Sequence, residues 1–380
     1  MSPGTATEVE TGFEPVYTDL QSVASPLGHS TRTGPGDPLR ADDGIRTRDP
    51  HLGKVMLYQL SHVRMRSSGS APGCASTLAD RPIRTNQRTS RDRPLTVPVC
   101  RTVIAMRAWV NGQLLDSAEQ PVLSVLDHGF VVGDGAFETV KTVSGQPFAL
   151  TRHLRRLARS LTGLGITPPD DSLLREGVSS VLAAERLHHG VAKLRITVTG
   201  GPSPLGSERG EAGPTVVVMS DAMGAWPAST GVVTVPWPRN ERGATAGLKT
   251  TSYAENVMAL AYARARGGGE ALFENTVGQL CEGTGSNVFV AVDGELITPT
   301  LASGCLDGIT RQLVLEWCDA SERDLAIEVL AHADEVFLAS TTRDVQAVHR
   351  VDERDVGAPG PLTAAAAKVF AERAADDLDP

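Results

Sequence analysis

The stretch Gly247-Leu248-Lys249-Thr250-Thr251-Ser252-Tyr253 contains one of the five lysines in a chain of 380 residues. Gly247 permits a tight backbone turn just before the lysine. The hydroxyl side chains of Thr251 and Ser252 can cap a helix, which the spacing predicts over 254–266. Lys249 is therefore expected between a turn and a helix, a junction where functional sites are commonly built.

The other lysines are less suitable candidates for a nucleophile. Past residue 105 they are Lys141, Lys193 and Lys368. Lys141 and Lys193 lie in strand-like runs, where a solvated strand face is the ordinary interpretation, and Lys368 lies in an alanine-rich terminal helix. Lys249 is the candidate nucleophile, with an ordinary loop lysine as the alternative.

A second segment, Glu282-Gly283-Thr284-Gly285-Ser286-Asn287-Val288-Phe289, follows about thirty residues later. A carbonyl cofactor needs an amine that forms a Schiff base and then moves a proton, and among natural side chains lysine supplies one. A carboxylate such as Glu282 must then face the pyridine nitrogen of the cofactor. Lys249 and Glu282 together predict a pyridoxal 5'-phosphate site.

Composition excludes several classes of protein. The hydrophobic share of 41% is that of a soluble globular chain, and its length allows two or three domains. The sequence contains no run of eighteen apolar residues, so no membrane span is predicted. Its five cysteines lack the paired spacing of metal ligands, which favours a reducing cytoplasm and disfavours zinc.

Charge divides the chain into two parts. Residues 1–105 carry a net charge of +3 and residues 106–380 a net charge of −12. The first part has no sustained apolar period and is predicted to be a disordered or spurious N-terminal extension, with a nucleic-acid-binding arm as the alternative. Residues 42–61 resemble a peptide produced when a gene model is read through a transfer-RNA gene. We therefore hypothesise that the native protein starts at Met106.

From Met106 the pattern becomes regular and predicts a mixed α+β and α/β protein. Asn111-Gly112 favours a hairpin between 108–110 and 113–115. Residues 106–221 are predicted to form a small domain, 222–229 a linker and 230–380 a larger domain. Further strands are predicted over 137–143, 147–150, 193–199, 215–220, 231–236, 270–275, 287–292, 295–298 and 335–339, and helices over 153–164, 172–187, 254–266, 308–318 and 362–377.

Three motifs share one chemical property, the ability to bind a phosphate group. Gly308-Ile309-Thr310-Arg311 opens a helix and offers unpaired N–H groups. Ser340-Thr341-Thr342 ends a strand with hydroxyl and amide donors, and Arg155 and Arg156 lie on one helix, where a guanidinium can bind phosphate with two hydrogen bonds. Capped helix and strand ends and solvated arginines are the ordinary alternatives.

These motifs, together with Asp127-His128-Gly129-Phe130-Val131-Val132-Gly133-Asp134-Gly135-Ala136-Phe137-Glu138-Thr139, resemble class IV (fold type IV) pyridoxal phosphate enzymes over about 106 to 375. The resemblance implies the two-domain fold of D-amino-acid aminotransferases. It also implies a homodimer with the active site between the domains. Lys249 would bind the cofactor covalently and Glu282 would pair with its pyridine nitrogen. The remaining implied ligands, all at the phosphate, are Arg156, the backbone of Ile309 and Thr310, and Thr341.

Within this family the sequence looks closest to 4-amino-4-deoxychorismate lyases. Gly200 stands where D-amino-acid aminotransferases have an arginine for the substrate carboxylate, and Ser252 stands where relatives often have asparagine. Arg209, in the loop 200–210, is a candidate ligand for a substrate carboxylate, with an ordinary surface-loop arginine as the favoured alternative. The resemblance implies a lyase of folate synthesis, and composition and charge predict that it is cytoplasmic and binds neither nucleic acid nor membranes. An aminotransferase of branched-chain or other amino acids and a non-catalytic phospholigand-binding protein are the alternatives.

Overall fold

The structure, a computed structural model, describes residues 106–185 and 190–380. The predicted disordered or spurious extension over 1–105 lies outside the described residues. Within them, no helix combines the length and the apolar character that crossing a membrane requires.

The first part of the described chain forms an antiparallel sheet with the strand order β2-β1-β6-β5-β3-β4. Its strands are β1 (Ala108–Val110), β2 (Gln113–Leu115), β3 (Gly135–Val143), β4 (Gln146–Pro147), β5 (Val191–Thr199) and β6 (Thr215–Ala222). Three helices accompany it: α1 (His128–Val131), α2 (Leu150–Gly163) and α3 (Asp171–Glu185). This sheet is called the small sheet below.

Side-chain alternation along β3 gives the small sheet two different faces. Ala136 and Val140 belong to the core that packs against α2, which includes Leu157. Phe137 and Thr139 point to the opposite side and line a cleft. The helices therefore cover one face of this sheet, and the other face is left for a functional site.

The second part forms a mixed sheet of nine strands, called the large sheet below. Its path runs β12-β11-β10-β13-β14-β7-β8-β9, and β15 pairs with β14. The strands are β7 (Ser229–Thr234), β8 (Glu270–Glu274), β9 (Leu280–Gly283), β10 (Asn287–Val292), β11 (Glu295–Thr298), β12 (Ala320–Glu322), β13 (Glu335–Ser340), β14 (Asp344–Val351) and β15 (Arg354–Asp355). The helices α4 (Ala254–Arg264), α5 (Ile309–Trp317) and α6 (Pro361–Asp376) belong to this part.

Most predicted elements are present, with shifts that have local causes. The hairpin of β1 and β2 turns at Asn111 and Gly112, both of which have positive φ angles. The strand predicted over 147–150 ends at Pro147, because Ala149 adopts a φ of 53° and α2 begins at Leu150. The segment 223–228 joins the two sheets within the predicted linker. The domain boundaries themselves stay a prediction.

Two predictions about side chains were wrong. Lys141 does not lie on a solvated strand face: it is 8% exposed and forms an ion pair with Asp344, which comes from the large sheet. Thr251 and Ser252 do not cap α4, because both hydroxyls donate to the carbonyl oxygen of Gly133. Lys141, Thr251 and Ser252 thus all make contacts that connect the two parts of the chain.

Truncation of Leu157 should destabilise the protein, because this fully buried side chain fixes α2 on the small sheet. We expect Leu157→Ala to lower the free energy of unfolding by about 2–5 kcal/mol, measured by denaturant titration. Met258→Ala, at a position that is 60% exposed, is the control and should change it by less than about 0.5 kcal/mol. Equal effects of the two substitutions would contradict this packing.

Candidate active site

A cleft of about 530 Å³ lies between the two sheets. Lys249 lines it, together with Phe137 and Thr139 from β3 and Glu282 from β9. The cleft also contains Arg156, Ile309, Thr310 and Thr341. The structure therefore brings together, in one cleft, every predicted cofactor ligand.

Backbone pairing with β3 positions Lys249. The Phe137 amide donates to the carbonyl oxygen of Lys249 (3.0 Å), and the Thr251 amide donates to that of Gly135 (2.8 Å). Gly247 has a φ of 73°, so the predicted turn before the lysine is present. The lysine is thus held directly on the edge of the small sheet.

The amine of Lys249 lies in an environment that favours its neutral form. Burial in the cleft and then the positive charge of Arg156 lower the pKa of Lys249 to about 8. Its Nζ lies 4.4 Å from the ring centroid of Phe137. A lysine with this pKa is a nucleophile and a base at mildly alkaline pH.

Glu282, near the end of β9, is the carboxylate of the cleft that the sequence assigned to the pyridine nitrogen. Its Oε2 accepts a hydrogen bond from the Leu306 amide (2.9 Å), and its Oε1 lies 3.5 Å from Nε of Arg239. Burial raises the pKa of Glu282, while Arg239 and the Leu306 amide oppose this effect. Arg239 therefore favours the ionised form that a protonated pyridine nitrogen requires.

The start of α5 supplies phosphate-binding chemistry. Gly308 precedes the helix, and the amides of Ile309 and Thr310 lie in its first turn, where N–H groups have no partner within the helix. A Cβ atom at position 308 would lie 2.0 Å from Oδ1 of Asn287, so this close approach requires glycine. Thr341 follows β13 and lines the same part of the cleft.

Arg156 reaches the cleft from α2. Its Nη1 donates to the carbonyl oxygen of Asp307 (3.0 Å), just before α5. Its Nε and Nη2 donate to the Glu138 carboxylate at 2.8 and 2.7 Å. A fixed guanidinium, helix amides and threonine hydroxyls form a donor set that fits a phosphate dianion.

The structure does not bring Arg209 into this cleft. Arg209 lines a separate cavity with His128 and Asp134. Its guanidinium donates to both carboxylate oxygens of Asp134 (2.7 and 2.6 Å) and to the carbonyl oxygen of Leu164 (2.7 Å). These bonds use most of its donors.

Arg195, which sequence reasoning missed, lies in the cleft instead. Its guanidinium lies 3.5 Å from the ring centroid of Phe137, the ring that Lys249 also contacts. Among the described residues no carboxylate pairs with Arg195, and its one side-chain hydrogen bond is to Thr197 (3.1 Å). Alternation along β5 puts Lys193, Arg195 and Thr197 on one face, so the sequence alone could not tell which of them meets a ligand.

Tyr253 was missed as well, although it lies within the lysine motif. Its hydroxyl donates to the carbonyl oxygen of Thr284 (3.0 Å), and its ring makes an edge contact with Phe137. Burial raises the pKa of Tyr253 to about 12. The sequence feature that could have identified Tyr253 as a cleft residue is its position four residues after Lys249, directly before a helix.

The residues of the cleft fit pyridoxal phosphate. An amine with a lowered pKa, a partly buried carboxylate and a phosphate-binding donor set are the three groups that this cofactor needs. A volume of about 530 Å³ lies within the usual range for small-molecule sites.

The sequence is similar to known enzymes of one family. Residues 135–351 match the family described as amino-transferase class IV. A putative branched-chain-amino-acid aminotransferase of Methanocaldococcus jannaschii is 31% identical over 259 residues, which cover 66% of this chain and 89% of that protein. A D-alanine aminotransferase of Bacillus licheniformis is 30% identical, covering 68% and 93% of the two chains. An aminodeoxychorismate lyase of Bacillus subtilis is 29% identical, covering 66% and 88%.

Solved structures give the same result. The branched-chain aminotransferase of Thermoproteus uzoniensis, solved with norvaline, aligns with a TM-score of 0.65 at 26% identity, covering 70% of this chain and 94% of that one. A hypothetical aminotransferase of Mycobacterium tuberculosis in its pyridoxal phosphate-bound form aligns with a TM-score of 0.64 at 26% identity, covering 71% and 100%. The predicted fold type IV is confirmed. The chain belongs to the class IV aminotransferase family, whose cofactor is pyridoxal phosphate.

Proposed function

We propose that the chain is an aminodeoxychorismate lyase, which converts 4-amino-4-deoxychorismate to 4-aminobenzoate and pyruvate for folate synthesis. The main support is Arg195, a cation in the cleft that has no carboxylate partner among the described residues. Thr139 pairs with Arg195 across the strands, and Asn240 and Thr245 are further polar residues that line the same cleft. A substrate with two carboxylates suits such a lining better than an aliphatic side chain does.

The cofactor would be held at its two ends. Arg156, Thr341 and the first turn of α5 at Ile309 and Thr310 would bind its phosphate, and Glu282 would face its pyridine nitrogen. When bound, pyridoxal phosphate supplies an electron sink beside the substrate amine. The phosphate contacts provide binding energy remote from the chemistry and so keep the ring aligned during turnover.

Lys249 would act as the base. Once the substrate amine has taken its place, the free amine removes the proton from the ring carbon that bears the nitrogen. The electron pair left behind expels enolpyruvate, which becomes pyruvate, as the ring aromatises. In a transaminase the same lysine would move this proton without the loss of a leaving group.

Arg195 is proposed to bind a substrate carboxylate. Arg195 and Lys249 both lie within 5 Å of the centroid of the Phe137 ring, so a ligand whose amine is at Lys249 lies close to this guanidinium. Arg239 also lines the cleft, but Glu282 and Glu255 partly neutralise it. The substrate-binding role expected for Arg209 is therefore assigned here to Arg195.

An aminotransferase is the second candidate, favoured by the names of two of the relatives described above. The two activities use the same lysine, carboxylate and phosphate ligands, so these residues do not separate them. The absence of arginine at Gly200 weighs against a D-amino-acid substrate.

The oligomer is proposed to be a homodimer. Val125, Phe130 and Leu205 are 76%, 79% and 78% exposed. Their segments are adjacent, because the Ser203 amide donates to the carbonyl oxygen of Leu126 (3.1 Å). An exposed apolar surface of this kind is typical of a protein interface.

A cytoplasmic location is also proposed. Cys281, Cys305 and Cys318 are free thiols. Free thiols are typical of a reducing compartment.

Product analysis separates the two candidate reactions. With 4-amino-4-deoxychorismate we expect the purified holoenzyme to form equal amounts of 4-aminobenzoate and pyruvate, measured by chromatography. With leucine, valine or D-alanine and 2-oxoglutarate it should form little glutamate. Steady glutamate formation without 4-aminobenzoate would establish the aminotransferase in place of the lyase.

The pKa of Lys249 predicts how fast the cofactor enters the protein. Only the neutral amine attacks an aldehyde, so the rate should rise with pH and level off above about pH 8. Stopped-flow absorbance of the cofactor-free protein mixed with pyridoxal phosphate measures this rate. Lys249→Ala is the control and should bind the cofactor weakly and show no turnover. A rate that still rises toward pH 10 would indicate an ordinary lysine.

Arg195 and Arg209 form a matched pair for testing substrate recognition. Arg195→Gln should lower kcat/KM for aminodeoxychorismate about 10–100-fold, as expected for a lost charge-assisted hydrogen bond, with pyridoxal phosphate affinity unchanged. Arg209→Gln tests the position expected from the sequence. A larger effect at Arg209 than at Arg195 in steady-state kinetics would overturn the assignment to Arg195.

A further inference from the structure

A fully buried polar network lies behind the phosphate end of the cleft. Glu138 on β3 and His153 on α2 have no exposed surface, and Arg156 is 5% exposed. Arg156 donates to both carboxylate oxygens of Glu138, and Nδ1 of His153 lies 2.7 Å from Oε2 of Glu138. Neither Glu138 nor His153 has a part in the function proposed above.

The position of Glu138 is unusual for a carboxylate. Along β3 it shares the core-facing side with Ala136 and Val140, where an apolar residue is the ordinary choice. Burial alone would raise the pKa of Glu138, but Arg156 and His153 outweigh it and lower the pKa to about 2. The carboxylate is therefore ionised and accepts hydrogen bonds at neutral pH.

Glu138 fixes the direction of the Arg156 guanidinium. Of its five N–H groups, two bind Glu138 and one binds the carbonyl oxygen of Asp307. The two that remain belong to a side chain that lines the cleft. A guanidinium held from behind in this way loses little freedom when it binds an anion.

The same carboxylate reaches Thr341 through His153. Because His153 and Arg156 are three residues apart on α2, they share one helix face. Nε2 of His153 lies 3.4 Å from Oγ1 of Thr341, on the opposite side of its ring from Glu138. Arg156 and Thr341, which come from different parts of the chain, are thus both connected to one buried carboxylate.

We propose that Glu138 is a positioning residue for the cofactor phosphate, acting through Arg156 directly and through His153 on Thr341. This inference rests on the proposed location of the phosphate at Arg156, Thr310 and Thr341. Glu138 itself touches neither cofactor nor substrate. Its removal should weaken the contacts to the phosphate and leave the contacts to the pyridine ring unchanged.

The test compares pyridoxal phosphate with pyridoxal, which lacks the phosphate. Dissociation constants of both are measured by absorbance on cofactor-free wild-type protein and on Glu138→Gln. We expect Glu138→Gln to raise the dissociation constant of pyridoxal phosphate about 10–100-fold and that of pyridoxal less than about twofold. His153→Gln should raise the former by a smaller factor.

Glu335→Gln is the matched control. Glu335 is also a buried carboxylate, but it accepts hydrogen bonds from the Leu362 and Thr363 amides at the start of α6 and does not line the cleft. It should change neither dissociation constant. If Glu138→Gln does not fold, Glu138→Asp serves instead, because it keeps the charge beside Arg156 and shortens the side chain. Its expected result is the same selective loss.

Three outcomes would count against the proposal or its basis. An equal loss of both ligands in the Glu138 variants would show general damage to the site and overturn the positioning role, as would no loss of either. A wild-type protein that binds pyridoxal as tightly as pyridoxal phosphate, with no competition from inorganic phosphate, would instead refute the proposed location of the phosphate.

Discussion

The backbone pairing between the Lys249 segment and β3 is the contact on which the arrangement of the cleft depends. Through the bonds of Phe137 and Thr251, it joins a segment that precedes α4 to the edge of the small sheet. The lysine is therefore fixed relative to Phe137 and Arg195 on one side, while Glu282 and the start of α5 come from the large sheet. Lys249 and Glu282 belong to the same part of the chain. Without this pairing, the amine would lose its fixed position relative to Phe137 and Arg195 on the small sheet.

Buried charges in and behind the cleft are compensated in pairs. Arg156 binds Glu138, Arg239 lies beside Glu282, and Arg343 lies 3.3 Å from Glu270. Removing one member of such a pair leaves a buried charge without its partner, which is costly in free energy. Lys249 and Arg195 form no ion pair with a carboxylate among the described residues; Lys249 is assigned to the cofactor and Arg195 to a substrate carboxylate. Arg156 and Glu282 are paired and also line the cleft, so their partners hold them in place for the cofactor without removing them from it.

Local sequence signals predicted most of the elements, and the residues that they named as cofactor ligands line one cleft. Lys249 was identifiable because lysine is rare and because a turn precedes it, and the start of α5 was identifiable from Gly308 and Thr310. These features act over a few residues, which is the range that a sequence pattern reports. β14, over Asp344–Val351, was missed although its sequence has strand character.

Contacts between distant segments could not be predicted in this way. Arg209 was the cation named from the sequence, and Arg195 was missed. Arg195 lines the cleft because it pairs with Thr139 across β5 and β3. The sequence did not indicate the role of Glu138: it shows only a charged residue at a core-facing strand position, and its partners His153 and Arg156 lie on α2. Lys141 was misassigned for the same reason, since Asp344 comes from the other sheet.

Borohydride reduction of the purified holoenzyme tests the central claim, that Lys249 is the amine that holds pyridoxal phosphate. We expect a visible absorbance band that borohydride removes, with the reduced cofactor left covalently on Lys249 in peptide mass mapping. A colourless protein that takes up no pyridoxal phosphate, or a label on Lys141, Lys193 or Lys368, would contradict the account.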